Sequence, residues 1–309
     1  MTRNWNDMPP ELKWMIVDRM DIITRFRLKM CSKNDKCLVE MVPVNRHMVT
    51  ARCVTSGGRH GGFEELNFSH VAVRCTDRAI TVLDRKTKEK RVIELTSRAE
   101  GQVMMKCMFR DFMSQQNYRF GQFTTNLELP DVVPRPNFKF YVNKLNLRGV
   151  LYNYKWLDIV ANQPEELEID GGFKELHSMV KNAKRLHWRI AHSTDNKTLM
   201  KLKATDLYIA DSSINEEGIN AYIKKMIKKN YPIGSKMEFV RHSRSNWDRL
   251  IYGLNYQEIN EADNGFRCNN VLRRRVVSIP MSVEKDIIVR WRATAFDTIE
   301  LSVVKREDK

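Results

Sequence analysis

The sequence predicts an α+β or α/β protein in which a small three-helix module precedes a strand–helix domain that ends in an antiparallel sheet. Three observations predict this fold class. Apolar residues follow helical spacing near the N-terminus, short apolar–x–apolar segments recur from Phe138 onward, and alternating segments occupy the last forty or so residues. With 309 residues the chain can hold the module and one large or two ordinary domains.

The first helix of the module begins at a pair of prolines. Pro9 and Pro10 suit the first helical positions because proline has no N–H there to satisfy. Asp7 is the candidate cap, and Glu11 places negative charge in the first turn. Three apolar side chains then stack at i, i+4 and i+8: Leu12, Ile16 and Met20.

Two further short helices complete the module. Thr24 can cap the second, which has Phe26, Leu28 and Met30 and ends near Ser32. Asn34 or Asp35 starts the third, which stops at Pro43 and has an apolar side of Leu38, Val39 and Val42. About forty residues rarely support an independent core, so some of these side chains must meet the rest of the chain or a partner.

This run resembles an F-box, and more narrowly the F-box of the large nematode families that have a C-terminal F-box-associated domain. The resemblance rests on Met8-Pro9-x-Glu11-Leu12, Ile16, Met20-Asp21 and the basic second helix that ends in Cys31-Ser32. It implies that apolar side chains pack against the Skp-type adaptor of a cullin–RING (SCF-type) ubiquitin ligase. The implied adaptor-binding residues are Met8, Pro9, Leu12, Ile16, Met20, Ile22, Phe26 and Leu28. Met8 departs from the more usual leucine but is close to it in volume.

The alternative for the module is an ordinary helical cap on a larger domain. We expect domain limits of 5–45 for the F-box, 46–62 for a connector loop and 63–309 for an F-box-associated, repeat-like domain. The connector contains the only glycine-dense stretch, Ser56–Gly62, which lacks the spacing of a phosphate-binding loop.

Composition is that of a globular protein, with 42% hydrophobic and 29% charged residues. No apolar run approaches the roughly 20 residues of a membrane helix, and no secretory signal is evident. The six cysteines are scattered without a CxxC pair, which disfavours structural zinc and disulfides and favours the cytoplasm or nucleus.

The net charge of +15 would attract nucleic acid or acidic proteins. Basic residues are nevertheless spread along the whole chain, and the densest clusters are Arg273–Arg275 and the four lysines 224, 225, 228 and 229. The lysines fall on one side of a helix and are expected to be a solvated face, so specific nucleic-acid binding is disfavoured.

The region after the connector predicts a β-hairpin or a three-stranded meander, followed by a helix. Alternation predicts strands at Phe68–Arg74, Ala79–Asp84 and Arg91–Leu95, and helical spacing covers Glu100–Gln116. Whether this region packs with the F-box or with the C-terminal domain is left open.

From residue 138 the apolar triplets begin about every 20 residues, with a longer last step. They start at Leu145, Leu167, Leu186, Leu207 and Met237, with helices predicted at 154–161, 173–182 and 216–229. One strand and one helix per 20–29 residues is the period of leucine-rich repeats, although the asparagine ladder is missing. The expectation is therefore a leucine-rich-repeat-like domain, with a plain α/β layer as the alternative.

Two later stretches complete the fold prediction. Ser212–Ile227 is similar to a strand, loop and capped helix of nematode F-box-associated domains, and Asn215 can cap that helix. Segments 276–279, 286–292 and 298–304 alternate and predict a terminal antiparallel sheet, with Trp291 as a core anchor.

No catalytic motif is present, so we expect no enzymatic activity of its own and no cofactor or metal. The expected function is that of a substrate receptor. Its expected partners are the Skp-type adaptor, the cullin that the adaptor binds, and an unknown target protein. Candidate target-binding residues occupy the middle, x position or a following position of the apolar–x–apolar strands. They are His187, Arg189, Tyr208 and Glu238, and Asn146 and Glu168 are further candidates of the same kind. A basic nucleic-acid-binding protein and a ligase-independent scaffold are the alternatives.

Overall fold

The structure, a computed structural model, has a mixed α/β fold with large sheets. It describes residues 5–20, 24–25, 28, 31–42, 44–45, 50–55, 63–68, 71–113, 118–125, 138–148, 154–171, 175–192, 194–242, 245–259, 273–293 and 296–306. The chain divides into two compact units. Unit 1 comprises Met1–Lys144 and Asp158–Asn162, and unit 2 comprises Leu145–Leu157 and Gln163–Lys309.

The helical module opens unit 1. A 3-10 turn at Trp5–Asp7 precedes helix α1 (Pro10–Arg19), and helix α2 spans Lys33–Met41. Pro9 occupies the cap position of α1 without a side-chain hydrogen bond, so the predicted cap by Asp7 is wrong. Ser32 caps α2 by accepting from the Asp35 N–H at 3.0 Å. Of the predicted second helix, Thr24, Arg25 and Leu28 are helical, and residues 26–27 and 29–30 lie outside the described residues.

The rest of unit 1 is a sheet with one long helix, α3 (Arg98–Met113). Its strands are β1 (Val44–Asn45), β2 (Thr50–Thr55), β3 (Phe63–Phe68), β4 (Val71–Cys75), β5 (Ala79–Asp84), β6 (Lys90–Glu94) and β7 (Tyr118–Thr125). The order is β7-β2-β3-β4-β5-β6, in which β2 pairs parallel with β7 and the other pairs are antiparallel. The predicted meander is confirmed.

The predicted connector loop at 46–62 differs from the structure, since Thr50–Thr55 form β2 between β3 and β7. Long-range pairing on both edges makes this short segment a strand, and a local pattern does not reveal such pairing. The division of the chain also differs from the predicted boundary at residue 63. Residues 63–123 belong to the same compact unit as the helical module, and the division falls within strand β8 (Tyr141–Leu147).

Unit 2 alternates short helices with strands. The helices are α4 (Tyr154–Asp158), α5 (Ser178–Asn182), α6 (Asn196–Lys201), α7 (Glu216–Lys228) and α8 (Trp247–Ile251). The strands are β9 (Glu166–Ile169), β10 (Arg185–Trp188), β11 (Asp206–Ala210), β12 (Lys236–Arg241), β13 (Gln257–Glu258), β14 (Arg273–Pro280), β15 (Lys285–Ala293) and β16 (Asp297–Lys305). Sequence reasoning missed α6 and α8, which are only six and five residues long.

Strands β9, β10, β11 and β12 are parallel neighbours in register, and β16 pairs antiparallel with β12. Strands β15, β14 and β13 continue the sheet beyond β16, which confirms the terminal antiparallel part. The leucine-rich-repeat-like character of the parallel part stays a prediction.

One face of this sheet is apolar and forms the core of unit 2. Leu186, Leu207, Met237 and Leu301 occupy one register row and are at most 1% exposed. Trp291 is buried on the same face and stacks on Trp247 of α8 with ring centroids 5.9 Å apart, so the predicted core role is confirmed. Across the described part of the chain, no helix is both long and apolar enough to span a bilayer.

Candidate protein-docking sites

Helix α1 presents an exposed apolar stripe. Leu12, Met15 and Ile16 lie within one helical side and are 46%, 51% and 37% exposed. Val17, on another side of the helix, is fully buried. Two of the three exposed residues, Leu12 and Ile16, are predicted adaptor-binding residues; Met8 is half-buried just before the helix and Pro9 is exposed.

The buried side of α1 has its own small core. Val17 packs with Val39 and Val42 of the α2 region, and four half-buried side chains surround them: Trp5, Met20, Leu28 and Leu38. Two predicted adaptor-binding residues, Met20 and Leu28, therefore contact this internal cluster and present less free surface than Leu12 and Ile16. Ile22 and Phe26, also predicted to bind the adaptor, lie outside the described residues.

Buried polar contacts join the parts of this module. The Arg25 guanidinium is 3% exposed and donates to the Val42 carbonyl at 2.9 Å and to the Met20 carbonyl at 3.4 Å. The Trp5 indole N–H donates to Asp35 Oδ1 at 2.7 Å. Sequence reasoning counted Arg25 only as part of a basic helix, because nothing local distinguishes it from Arg27. These contacts hold α1 against α2 and leave the stripe outside.

A second candidate surface is the polar face of the unit 2 sheet. The strand register places six side chains in one row across six strands: Glu168, His187, Tyr208, Glu238, Glu300 and Arg290. We call them the polar row. Because paired residues of neighbouring strands point to the same side, the whole row lies opposite the apolar core. Three of the predicted target-binding residues, His187, Tyr208 and Glu238, are adjacent members.

One end of the polar row is a charge network. The Glu168 carboxylate is buried; it accepts from the Asn146 amide at 2.5 Å, pairs with Arg189, and lies 3.5 Å from Arg148. Arg189, predicted as a strand position, follows the end of β10 but extends its side chain over Glu168 on the polar face. Since two cations share one carboxylate, this end of the row has a net positive charge.

The middle of the polar row is aromatic and acidic. The His187 and Tyr208 rings lie 5.8 Å apart at an interplanar angle of 30°. Glu238 stands directly opposite Glu300, whose carboxylate pairs with Arg292. None of the His187, Tyr208 or Glu238 side chains hydrogen-bonds to another described residue.

Burial on this face perturbs two ionisable groups. Burial raises the pKa of the Glu238 carboxyl, the neighbouring Glu300 charge raises it further, and Arg292 and His187 oppose the shift. Burial likewise raises the pKa of the Tyr208 hydroxyl, with a further contribution from the Glu238 charge. A partner cation beside Glu238 would oppose this shift and lower the pKa of the carboxyl.

The helical side of unit 2 has polar contacts that sequence reasoning missed. Glu216 Oε1 accepts from Arg241 Nη1 at 2.7 Å and from the Asn246 N–H at 2.8 Å, which links α7, β12 and α8. Asn215 caps α7 as predicted, by accepting from the Gly218 N–H at 3.0 Å.

One lysine of α7 departs from the predicted solvated face. Lys225 Nζ donates to the carbonyls of Met200 and Leu202 at 3.0 and 2.5 Å. Burial, with the Lys229 charge adding to it, lowers the pKa of Lys225 to about 8. Lys224, Lys228 and Lys229 are exposed as expected.

Among the residues that the structure describes, no group of three or more His, Cys, Asp and Glu side chains is placed to hold a metal ion. The chemistry of the two surfaces makes them candidates for protein docking: one is an apolar stripe on a helix, and the other is a sheet face of mixed charge.

The comparison with protein families matches the part of the chain that contains the first surface. Residues 5–47 match the model of the F-box domain. No curated protein and no solved structure matches the chain. F-box domains bind Skp-type adaptors within cullin–RING ubiquitin ligases. The chain therefore has an F-box domain over the residues that form α1, α2 and their shared core, and this domain suggests an adaptor-binding role in an SCF-type ligase.

Proposed function

We propose that this chain is a substrate-receptor subunit of an SCF-type ubiquitin ligase. Its F-box docks the Skp-type adaptor through the α1 stripe, and the polar face of unit 2 binds a target protein. Ubiquitin transfer takes place elsewhere in the complex, and the receptor raises the effective concentration of the target at that site. The observation that supports the proposal most strongly is the exposed Leu12–Met15–Ile16 stripe inside the matched F-box region.

The stripe can contribute useful binding energy. Full burial of a side chain of this size is worth about 1.5–3 kcal/mol, so covering the exposed fractions of these three residues yields about 2–4 kcal/mol together. An aspartate at the centre of the stripe would lose one of these contributions and place a carboxylate in a dry interface, which costs several kcal/mol more. One substitution should therefore abolish the complex.

The test is co-purification of the full chain with the Skp-type adaptor. Wild type should form a stable complex, and Leu12→Asp and Ile16→Asp should lose it. The matched control is Trp14→Asp, because Trp14 is also exposed on α1 but lies about 100° or more around the helix from each stripe residue. Circular dichroism of each variant checks folding. A complex that survives Ile16→Asp would refute the stripe as the adaptor interface.

For unit 2 the proposal is target binding by an F-box-associated domain of the kind found in the nematode families. The resemblance of Ser212–Ile227 supports this assignment, and the serial parallel strands β9–β12 support a leucine-rich-repeat-like arrangement. The four proposed target-binding residues are His187, Arg189, Tyr208 and Glu238. Their half-buried or exposed side chains on one sheet face suit contact with a folded or extended protein partner.

The charge pattern favours a protein target over nucleic acid. A polyphosphate needs a contiguous positive face, whereas three of the six members of the polar row are carboxylates: Glu168, Glu238 and Glu300. A cytoplasmic or nuclear location is part of the proposal and is consistent with the scattered cysteines of the sequence.

The test of the target surface compares ubiquitylated proteins recovered with wild type and with variants that keep the adaptor. Tyr208→Ala and Glu238→Lys should remove the recovered target, while Tyr252→Ala, which removes an exposed aromatic outside the strands, should not. Target recovery that is insensitive to both changes would place the target site elsewhere. A folded chain that does not bind the adaptor would favour the ligase-independent scaffold, in which the helical module docks another partner.

A further inference from the structure

The sheet of unit 1 ends in an unusually open edge strand. All five residues of β6, Lys90-Arg-Val-Ile-Glu94, are exposed, and two of them are large apolar residues, Val92 at 54% and Ile93 at 41%. The sheet of unit 2 ends instead in β13, which has only two residues. Short edge strands are a common protection against pairing with another chain, and β6 lacks it.

The hydrogen-bond pattern shows which backbone groups of β6 are available. The Asp84 N–H donates to the Glu89 carbonyl and the Leu95 N–H donates to the Arg78 carbonyl, each at 2.9 Å. Bonded and non-bonded pairs alternate along an antiparallel ladder, and Ile80 pairs with Ile93 and Val82 with Arg91. Arg91 and Ile93 therefore bond inward to β5, and the N–H and C=O groups of Lys90, Val92 and Glu94 point outward from the edge.

The outward residues are self-complementary. If a second β6 strand runs antiparallel with Val92 opposite Val92, then Lys90 stands opposite Glu94 twice, and all three outward residues of each copy pair with outward residues of the other. Cross-strand pairs of opposite charge stabilise a ladder, and like charges directly opposite destabilise it. A shift by two residues would lose the Lys90–Glu94 pairs and shorten the ladder, so one register is favoured.

We propose that β6 pairs antiparallel with β6 of a second copy of this chain, about a two-fold axis at Val92. The contact is isologous, with the same residues on both sides, and it closes into a dimer rather than a filament. Five residues per copy bury less than the area of a standard stable interface, so the dimer is weak and depends on protein concentration.

Charge reversal on the full chain tests the register. Lys90→Glu places two glutamates opposite each other in both pairs, and Glu94→Lys places two lysines there, so each single variant should dimerise about tenfold more weakly than wild type. The double variant K90E/E94K restores both pairs and should dimerise like wild type. An equal mixture of the two single variants should form a heterodimer. Analytical ultracentrifugation over a micromolar concentration series measures the dimerisation of wild type, the three variants and the mixture.

A backbone variant gives an independent reading. Val92→Pro removes the outward N–H at the centre of the proposed ladder, and proline is tolerated where an edge N–H faces water. This variant should keep its melting temperature and its adaptor binding but lose dimerisation. A wild type that stays monomeric through the series would overturn the proposal. A dimer whose affinity does not change with the charge reversals would also overturn it, as would an extended segment of another protein paired with β6.

Discussion

Glu216 should be far more important to the stability of unit 2 than its neighbour Glu217. Both are glutamates in the first turn of α7, but the Glu216 and Arg241 side chains are only 11% and 10% exposed. Glu216→Ala would leave the Arg241 guanidinium buried without its carboxylate, with Ser245 Oγ at 2.9 Å as one remaining acceptor. Breaking a buried ion pair from one side typically costs about 3–5 kcal/mol, and we expect a loss in that range.

Two further variants separate burial from simple loss of charge. Glu217 is exposed, so Glu217→Ala removes only a favourable charge at the helix N-terminus, worth about 0.3–1 kcal/mol. Glu168→Ala also removes a buried carboxylate, but its partners Arg148 and Arg189 are 46% and 47% exposed and can turn to water. Its cost should be about 1–3 kcal/mol, chiefly from the buried Asn146 amide left without its acceptor.

Urea unfolding followed by tryptophan fluorescence measures these differences, since Trp247 and Trp291 lie in the core of unit 2. Glu216→Ala should shift the transition midpoint much further than Glu168→Ala, and Glu217→Ala should shift it least. A Glu216→Ala variant no less stable than Glu217→Ala would refute the reasoning, because it would mean that Arg241 readily finds another partner or water.

The stability of unit 2 should also depend on pH through Glu216. Burial alone would raise the pKa of Glu216, but hydrogen bonds from Arg241 and the Asn246 N–H outweigh it and lower the pKa below its ordinary value of 4.5. The unfolded state therefore binds the proton first as pH falls. The stabilisation is fully present above about pH 4.5 and is lost as pH falls through the folded-state pKa. Glu216→Gln should flatten this part of the acid-unfolding curve.

Three more substitutions test individual contacts. Arg25→Met should destabilise the F-box module by about 1–3 kcal/mol in thermal unfolding, because the buried Val42 carbonyl loses its donor; the exposed Lys36→Met is the control. Gly218→Ala should cost about 1–3 kcal/mol in urea unfolding, since the added Cβ would overlap the Asn196 amide; no loss would mean that Asn196 moves freely. Lys225 should titrate near pH 8 by NMR. Between about pH 8 and 10.5 only the unfolded state keeps this proton, so the free energy of unfolding should rise with pH over that range. Lys225→Met should abolish that rise.

Local sequence patterns were sufficient to predict the repeating strands of unit 2. Leu207-Tyr-Ile209 and Met237-Glu-Phe239 alternate an apolar, a polar and an apolar side chain, and strand geometry alone then places Tyr208 and Glu238 on one face. Parallel pairing in register then places Tyr208 beside Glu238, so these two predicted target-binding residues share one surface. Pro9 and Pro10 at the start of α1 and the Asn215 cap of α7 are also local signals, and both helices begin close to the predicted positions.

Contacts between distant residues could not be predicted from one sequence. Nothing near Glu216 distinguishes it from Glu217, because the difference is made by Arg241 and Asn246, 25 and 30 residues away along the chain. Strand β2 likewise depends on β3 and β7, which pair with its two edges. The prediction that Asp7 caps α1 is wrong for a different reason: Asp7 belongs to the turn at Trp5–Asp7, and Pro9 occupies the cap position.

The two compact units make the proposed roles separable by experiment. The α1 stripe belongs to unit 1, whereas Glu216 and the polar row belong to unit 2. Regions with separate cores can open with different free energies, so a loss of stability in one need not reach the other. Glu216→Ala should therefore weaken target recovery at temperatures where unit 2 begins to unfold, while the F-box still binds the adaptor. Simultaneous loss of both activities would mean that the two units unfold as one cooperative block, and the effect of a polar-row variant could then be attributed to binding only after its folding had been measured.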